Sequence, residues 1–199
     1  FKFDEESSKK INNIVPAVEG KDIYAVIWTT TPWTIPSNMA ISVHPRFEYT
    51  FFEKDGDVYV AAQDLLASFL KDVEWDEADI KVLGSCKGQD LELLNTRHPL
   101  VDRKSPIILG EHVTLDAGTG SVHTAPGHGL EDYEVGCRYG IEVFSPLDSR
   151  GVWTEAVKDK DLEGVPYYKG NSIVIEKLQN CGALLAQQDI NPVSYTHLT

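Results

Sequence analysis

Trp28-Thr29-Thr30-Thr31-Pro32-Trp33-Thr34-Ile35-Pro36-Ser37-Asn38 packs four threonines, two tryptophans and two prolines into one stretch. It follows directly on the apolar run Asp22–Trp28, whose β-branched and aromatic residues read as a strand buried on both faces. Prolines at 32 and 36 remove two backbone donors and disfavour helix just before each. The stretch therefore reads as a shaped loop leaving a strand, not as a helix. Dense hydroxyls on a proline-stiffened loop suit binding or hydrolysis. Composition alone equally allows a threonine-rich strand end with no role.

Outward from this loop the chain offers many short strands. Met39–Val43, Phe47–Glu53, Val58–Ala62, Asp79–Leu83, Ile107–Leu109, His112–Leu115, Ser121–Ala125, Ile141–Phe144 and Ala183–Ala186 all carry strand signals. Lys54-Asp55-Gly56-Asp57 is a hairpin turn. Helices are expected over Asp64–Val73, with Asp64 as N-cap, over Leu130–Tyr139 and over Asn171–Asn180, with Gly182 closing the last. A short helical piece fits Asp90–Leu94. Without regular strand–helix alternation a doubly wound sheet is disfavoured, and a small closed or nearly closed barrel with outer helices is expected. Phe1–Glu19 is polar, starts without Met and reads as part of a piece cut from a longer chain.

Size and charge narrow the function. The 199 residues allow one sizeable core, and the formal net charge of −13 excludes a broad phosphate-gripping surface. A nucleic-acid substrate would have to be touched over a small part only. No apolar run reaches the length of a membrane span, and the charged start lacks a signal core. Cys86, Cys137 and Cys181 form no Cys-x-x-Cys, which argues against a zinc knuckle or a disulfide framework and fits a reducing compartment.

The second dense stretch is Gly118-Thr-Gly-Ser-Val-His123-Thr-Ala-Pro-Gly-His128-Gly-Leu-Glu-Asp132-Tyr133. Gly118 and Gly120 lack the third glycine and the Lys-Ser/Thr of a phosphate loop. His123, His128 and Asp132 fit no standard zinc spacing, so no metal is expected. Asp132 falls in the first turn of the helix that opens near Gly129, where the partial positive charge favours its ionised form. A carboxylate so placed suits an ammonium group, although a helix-start aspartate satisfying backbone N–H groups has the same signature. His123 alone is more often a hydrogen-bonded core histidine than a catalytic one, and Trp28 and Trp33 alone are more often core packing than base-stacking platforms.

Together the two stretches resemble the two signatures of the editing domain inserted in isoleucyl-tRNA synthetases, the connective polypeptide 1 (CP1) of that class I enzyme. The resemblance spans residues 20 to 190 or so, within a single domain of 1–199. The valyl and leucyl siblings continue the Thr-Thr pair with Arg-Pro and an acidic residue; Thr31-Pro32-Trp33-Thr34 here selects isoleucyl. His123 and Pro126-Gly127-His128-Gly129 resemble the bacterial or organellar form. The tail Ser194–Thr199 departs from the family's Ser-Tyr-Pro-His continuation and reads as foreign.

What the resemblance implies is a closed six-stranded β-barrel core with peripheral helices, mainly β, and hydrolysis of valyl-tRNA(Ile), with valyl-adenylate as a second substrate. A pocket choosing Ile over Val gains only about 1–3 kcal/mol, a figure taken from isoleucyl-tRNA synthetases themselves, so a second site must destroy the wrong product. On that reading Asp132 anchors the α-ammonium. Thr29, Thr30, Thr31 and Thr34 orient water and carbonyl, with backbone N–H groups of the loop available to an oxyanion. His123 excludes the longer isoleucyl chain. Asn38, Gly120, His128 and Tyr133 lie at the substrate, and Trp28 flanks the terminal adenine. Neither motif holds a strong general base apart from His123, which leaves help from the vicinal ribose hydroxyl. No cofactor is implied for editing; ATP and zinc sites, if any, belong to the rest of the parent enzyme. The partners implied are the CCA end of the tRNA and the parent synthetase, in a cytoplasmic or organellar-matrix setting. Three other readings remain at this point: a non-catalytic module guiding the CCA end, a metal hydrolase, and a free-standing trans-editing deacylase.

Overall fold

A computed structural model describes residues 1–188; the tail 194–199 lies outside them. The strands are β1 (Lys2–Phe3), β2 (Ile23–Ala25), β3 (Ala40–Val43), β4 (Glu48–Lys54), β5 (Asp57–Ala62), β6 (Lys81–Lys87), β7 (Asn95–Arg97), β8 (Lys104–Leu109) and β9 (Ser121–Thr124). The α-helices are α1 (Glu5–Ile14), α2 (Leu66–Asp72), α3 (Leu130–Arg138) and α4 (Gly170–Asn180). Adjacent strands run in the order β6-β4-β5-β2-β1-β7-β8-β3-β9, mostly antiparallel, with parallel β2–β5 and β3–β8 pairs.

This array corrects the expected closed six-stranded barrel. It is a nine-stranded sheet in a mixed α/β domain, and its end strands β6 and β9 do not pair with each other. Two segments expected as strands make no ladder, and the reason is local. Val113 N–H bonds Gly110 O, which turns the chain at 110–113. Ile141 N–H is spent on Gly136 O at the end of α3, where Gly140 adopts φ +65°. At the β9 side, the turn Gly118-Thr119-Gly120, with φ +82° and +73° at its glycines, carries the backbone off the strand path. That turn is tied down by single bonds instead of a ladder. Ala62 N–H donates to Thr119 O at 2.8 Å, and the buried Tyr49 hydroxyl donates to Gly120 O. Ala183–Ala186 likewise forms no strand.

Several local expectations match. The β4–β5 hairpin turns at Asp55-Gly56, with φ +53° and +95°, and pairs Lys54 with Asp57. α4 ends in a Schellman pair, Ala183 N–H to Leu178 O and Gly182 N–H to Gln179 O. α2 starts later than expected, behind a 3-10 turn Gln63–Leu65, and Asp64 does not cap it. The polar start holds β1 and α1, capped by Asp4 accepting from Ser7 N–H, and its Phe3 and Ile11 are buried in the main core with Ile23, Phe51 and Ile107.

The threonine/proline segment is the largest local difference. Pro32–Ser37 is a 3-10 helix, not an irregular loop. Pro32 sits at its first turn, where no N–H is needed. Thr34 N–H closes on Thr31 O and Asn38 N–H on Ile35 O, so Pro36 falls where two tight turns meet. Ile35 anchors it in a second core with Trp153, Leu162, Val174 and Leu178, and Asn171 of α4 accepts from Trp33 N–H at 2.9 Å. One face of the segment is thus fixed in apolar packing, and the other carries the threonines.

Candidate active site

A cavity of about 420 Å³ opens between this segment, the 118–123 turn and strand, and the start of α3. Trp28, Thr29, Thr30, Thr31, Thr34, Gly120, His123, His128 and Asp132 all line it, so two motifs about ninety residues apart in sequence meet at one place. That volume lies in the range of small-molecule sites.

The deep wall is a hydrogen-bonded chain whose direction can be worked out. Asn38 Nδ2 donates to Ala40 O at 2.7 Å, an oxygen that only accepts, and this orients the amide. Its other N–H reaches His123 Nδ1 at 2.9 Å, so Nδ1 is the accepting nitrogen. His123 Nε2 then carries the proton and donates to Thr34 Oγ1 at 2.8 Å. Thr34 Oγ1 in turn donates to Thr31 O at 2.8 Å. Ser105 Oγ completes the chain by donating to Asn38 Oδ1. Burial pushes His123 down to about 3, with the nearby His98 and His128 acting in the same sense. Its accepting nitrogen is occupied and its ring stays neutral, so His123 is not placed to act as a general base. Both nitrogens being taken, it is not placed as a metal ligand either.

The outer side is more open. Thr31 N–H bonds Thr29 Oγ1 at 3.0 Å, and the Thr29 and Thr31 hydroxyls lie 3.3 Å apart. Within the Thr29–Thr34 segment, the threonine amides without a partner among the described residues are those of Thr29 and Thr30. Asp132 sits in the first turn of α3, where its Oδ2 accepts from Ala125 N–H at 2.9 Å. Oδ1 has no hydrogen-bond partner among the described residues. The partial positive charge at the start of α3 favours the ionised form of Asp132. Burial works against it and raises Asp132 from its ordinary value, while the Ala125 bond and the nearby His112 act the other way. His128 is half-buried, bonds Ser37 Oγ at 2.9 Å through Nε2, and packs edge-on to Trp33. Trp28 is 46% exposed at the rim and packs over Gly118, so it is not core packing.

Two expected substrate residues are elsewhere. Asn38 is fully buried behind His123 and does not line the cavity, because its amide is used up on Ala40, His123 and Ser105. Tyr133 is 46% exposed and also off the lining, since the position after Asp132 faces away from it on a helix. His112, Thr114, Asp116 and Glu131 line the cavity and were not singled out from sequence. The first three lie in a segment whose strand-like pattern hid its turns. Among the described residues no group of three His, Cys, Asp or Glu side chains is placed to hold a metal ion, and no helix is long and apolar enough to cross a membrane.

The fold places the chain in a structural class. It superposes on the editing domain of the P. knowlesi cytosolic leucyl-tRNA synthetase with a TM-score of 0.65 at 14% identity, covering 90% of this chain and 91% of that one. The CP1 domain of GlLeuRS gives a TM-score of 0.60 at 18% identity, covering 87% and 77%. These likenesses give the chain the fold of a CP1-type editing domain. More particularly, the chain is homologous to a part of bacterial isoleucine–tRNA ligases. It is 46% identical to that of Nitratidesulfovibrio vulgaris (strain Hildenborough) over 188 residues, 94% of this chain. It is 45% identical to that of Desulfovibrio desulfuricans over 197 residues and 43% identical to that of Bacillus cereus (strain AH187) over 202. The chain spans only 20% of the length of the two Desulfovibrio-type relatives. No family model matches it.

Proposed function

We propose that the cavity hydrolyses the ester of misacylated tRNA, with valyl-tRNA(Ile) as substrate. The observation that carries this reading is the pairing of a free carboxylate oxygen on Asp132 with a threonine-rich wall across one cavity. Asp132 Oδ1 receives the α-ammonium. The valyl side chain points to the deep wall, where His123, held rigid by Asn38 and Thr34, stops a longer chain. The ester carbonyl lies along Thr29–Thr31, with the amides of Thr29 and Thr30 available to the oxyanion.

Water adds to the carbonyl carbon, the bond from that carbon to the ribose oxygen breaks, and the leaving oxygen takes a proton. His123 does not relay that proton, because its one lone pair is bonded to Asn38. We assign the assistance to the free vicinal hydroxyl of the terminal ribose, ahead of the other titratable groups of the lining, His112, His128, Asp116 and Glu131. Only the CCA end enters so small a cavity, and the net charge of −13 leaves the rest of the tRNA to be gripped by the parent synthetase. Nanomolar binding of this chain to uncharged tRNA would contradict that division of labour.

The decisive experiment follows release of labelled amino acid from valyl-tRNA(Ile) and isoleucyl-tRNA(Ile) by this chain. The expected result is rapid loss of the valyl ester alone. Equal hydrolysis of both would remove the size-exclusion role of His123.

A further inference from the structure

The deep wall depends on Asn38, and Asn38 is held from a loop outside the cavity. A 3-10 helix leaves carbonyls without partners at its C-terminal end. Here the segment between β7 and β8 supplies donors to three carbonyls at that end, those of Pro36 and Asn38 and that of Ile35, which also accepts from Asn38 N–H. His98 Nε2 donates to Ile35 O at 2.7 Å, while its Nδ1 accepts from the amides of Leu100 and Val101. Arg103 Nη1 reaches Pro36 O at 3.3 Å and Asn38 O at 2.7 Å, with its guanidinium 4.7 Å from the centre of the Phe144 ring. Two residues on, Ser105 holds the Asn38 amide oxygen. The entrance to β8 thus grips Asn38 at its backbone and at its side chain. Three links, Arg103 to Asn38 to His123 to Thr34, run from the back of the segment into the cavity.

We infer that Arg103 is a positioning residue for this site: by fixing the Asn38 backbone it holds the amide that locks His123, and so sets the length of side chain the cavity accepts. The inference rests on the editing reading above. A planar guanidinium stacked on Phe144 and bonded to two carbonyls is a task that a lysine ammonium performs only in part. Arg103 contacts no lining threonine, so its effect travels through Asn38.

The test compares the chain with its Arg103→Met, Arg103→Lys and Ser105→Ala variants. It measures kcat and KM for both esters and records the imidazole nitrogen spectrum of ¹⁵N-histidine-labelled protein. In Arg103→Met the valyl-to-isoleucyl ratio of kcat/KM should fall about tenfold, carried by kcat, as expected for sub-ångström misplacement. Arg103→Lys should recover part of it, and Ser105→Ala should shift the ratio in the same direction. His123 should give one tautomer with the proton on Nε2 in the parent chain, and a broadened or mixed signal in Arg103→Met. Simple loss of folded protein would lower both esters in proportion and leave the ratio alone. A wild-type ratio in folded Arg103→Met and Ser105→Ala, or an unchanged His123 spectrum in both, overturns the inference. Should this chain hydrolyse neither ester, both are offered to it within the parent synthetase; failure there too ends the editing reading, and the His123 spectrum still decides whether Arg103 positions the ring.

Discussion

The two walls of the cavity are built on opposite principles. The deep wall is buried and saturated: Asn38, His123 and Thr34 are all buried, and each polar atom of the Asn38 and His123 side chains is bonded. The outer wall is unsaturated: Asp132 keeps one oxygen free, and Thr29, Thr30 and Thr31 are half-buried or exposed. A saturated wall discriminates by shape, because moving any member leaves a buried group unpaired at about 1–3 kcal/mol. An unsaturated wall binds, because its free acceptors await a ligand. The difference separates the residues expected to affect which ester is cleaved from those expected to affect whether any is cleaved.

The largest effect should come from the outer wall. Asp132→Ala removes the carboxylate proposed to hold the ammonium, and kcat/KM for valyl-tRNA(Ile) should fall about a thousandfold, within the range for truncating one partner of a close charge pair. The folding midpoint in urea should move little, since Oδ2 makes a single backbone bond. Retention of activity within fivefold would assign the anchor to another residue, with Asp116 and Glu131 the nearest lining carboxylates in type.

The next effect belongs to the deep side and is read by pH. Burial pushes His98 to about 4 and His123 to about 3, while an unfolded histidine titrates near 6.5. Both are neutral in the folded chain, so the unfolded chain binds more protons below 6.5. Their contribution is whole above that value and is lost as pH falls toward 4. The slope is about 1.4 kcal/mol per pH unit for each, or about 3–4 kcal/mol for the pair between pH 7 and pH 5. Asp132, raised by burial, works weakly in the opposite direction, since its protonation favours the fold. Urea midpoints at pH 7 and pH 5 measure the balance. A flat profile would mean that these rings are not sealed. The same reasoning gives the acid limb of hydrolysis to Asp132, with no limb from His123 between pH 5 and 8.

A smaller effect tests the saturation itself. Thr34→Val keeps the shape and removes the hydroxyl, leaving His123 Nε2–H and Thr31 O without that partner. The expected loss is about 1–3 kcal/mol of folding stability. Hydrolysis of the isoleucyl ester should rise relative to the valyl ester, because His123 is no longer pinned. Unchanged stability would show that water reaches this wall.

How much of this was legible in the sequence follows from what each feature depends on. Thr29–Thr34, His123 and Asp132 sit in two dense local signatures, and the structure brings them to one cavity. The hairpin at Asp55-Gly56 and the end of α4 follow from local backbone chemistry. Closure of the sheet did not, since it depends on partners far along the chain: 112–115 and 141–144 have strand-like residues but form no ladder, and the amides of Val113 and Ile141 are spent on turns. The 3-10 helix over Pro32–Ser37 escaped notice because proline at a first helical turn looks, in sequence, like proline in a loop. Arg103, His98 and Ser105 gave no signal, because their partners are backbone carbonyls and one amide in another segment, which no spacing rule encodes.

The smallest effect is expected at Tyr133, beside the residue with the largest. Asp132 and Tyr133 are adjacent in sequence, yet one step along α3 rotates the side chain by about 100°. Asp132 lines the cavity, whereas Tyr133 is 46% exposed and does not. Tyr133→Ala should therefore change folding stability by under about 0.5 kcal/mol, as for an ordinary surface position. Hydrolysis of the valyl ester by this chain should stay within about twofold of the parent, the same energy scale. A tenfold rise in KM with kcat unchanged would instead make Tyr133 a contact for the nucleotides beyond the ester. The outer wall would then extend past the cavity mouth along the exposed face of α3, toward Leu130, which is 74% exposed.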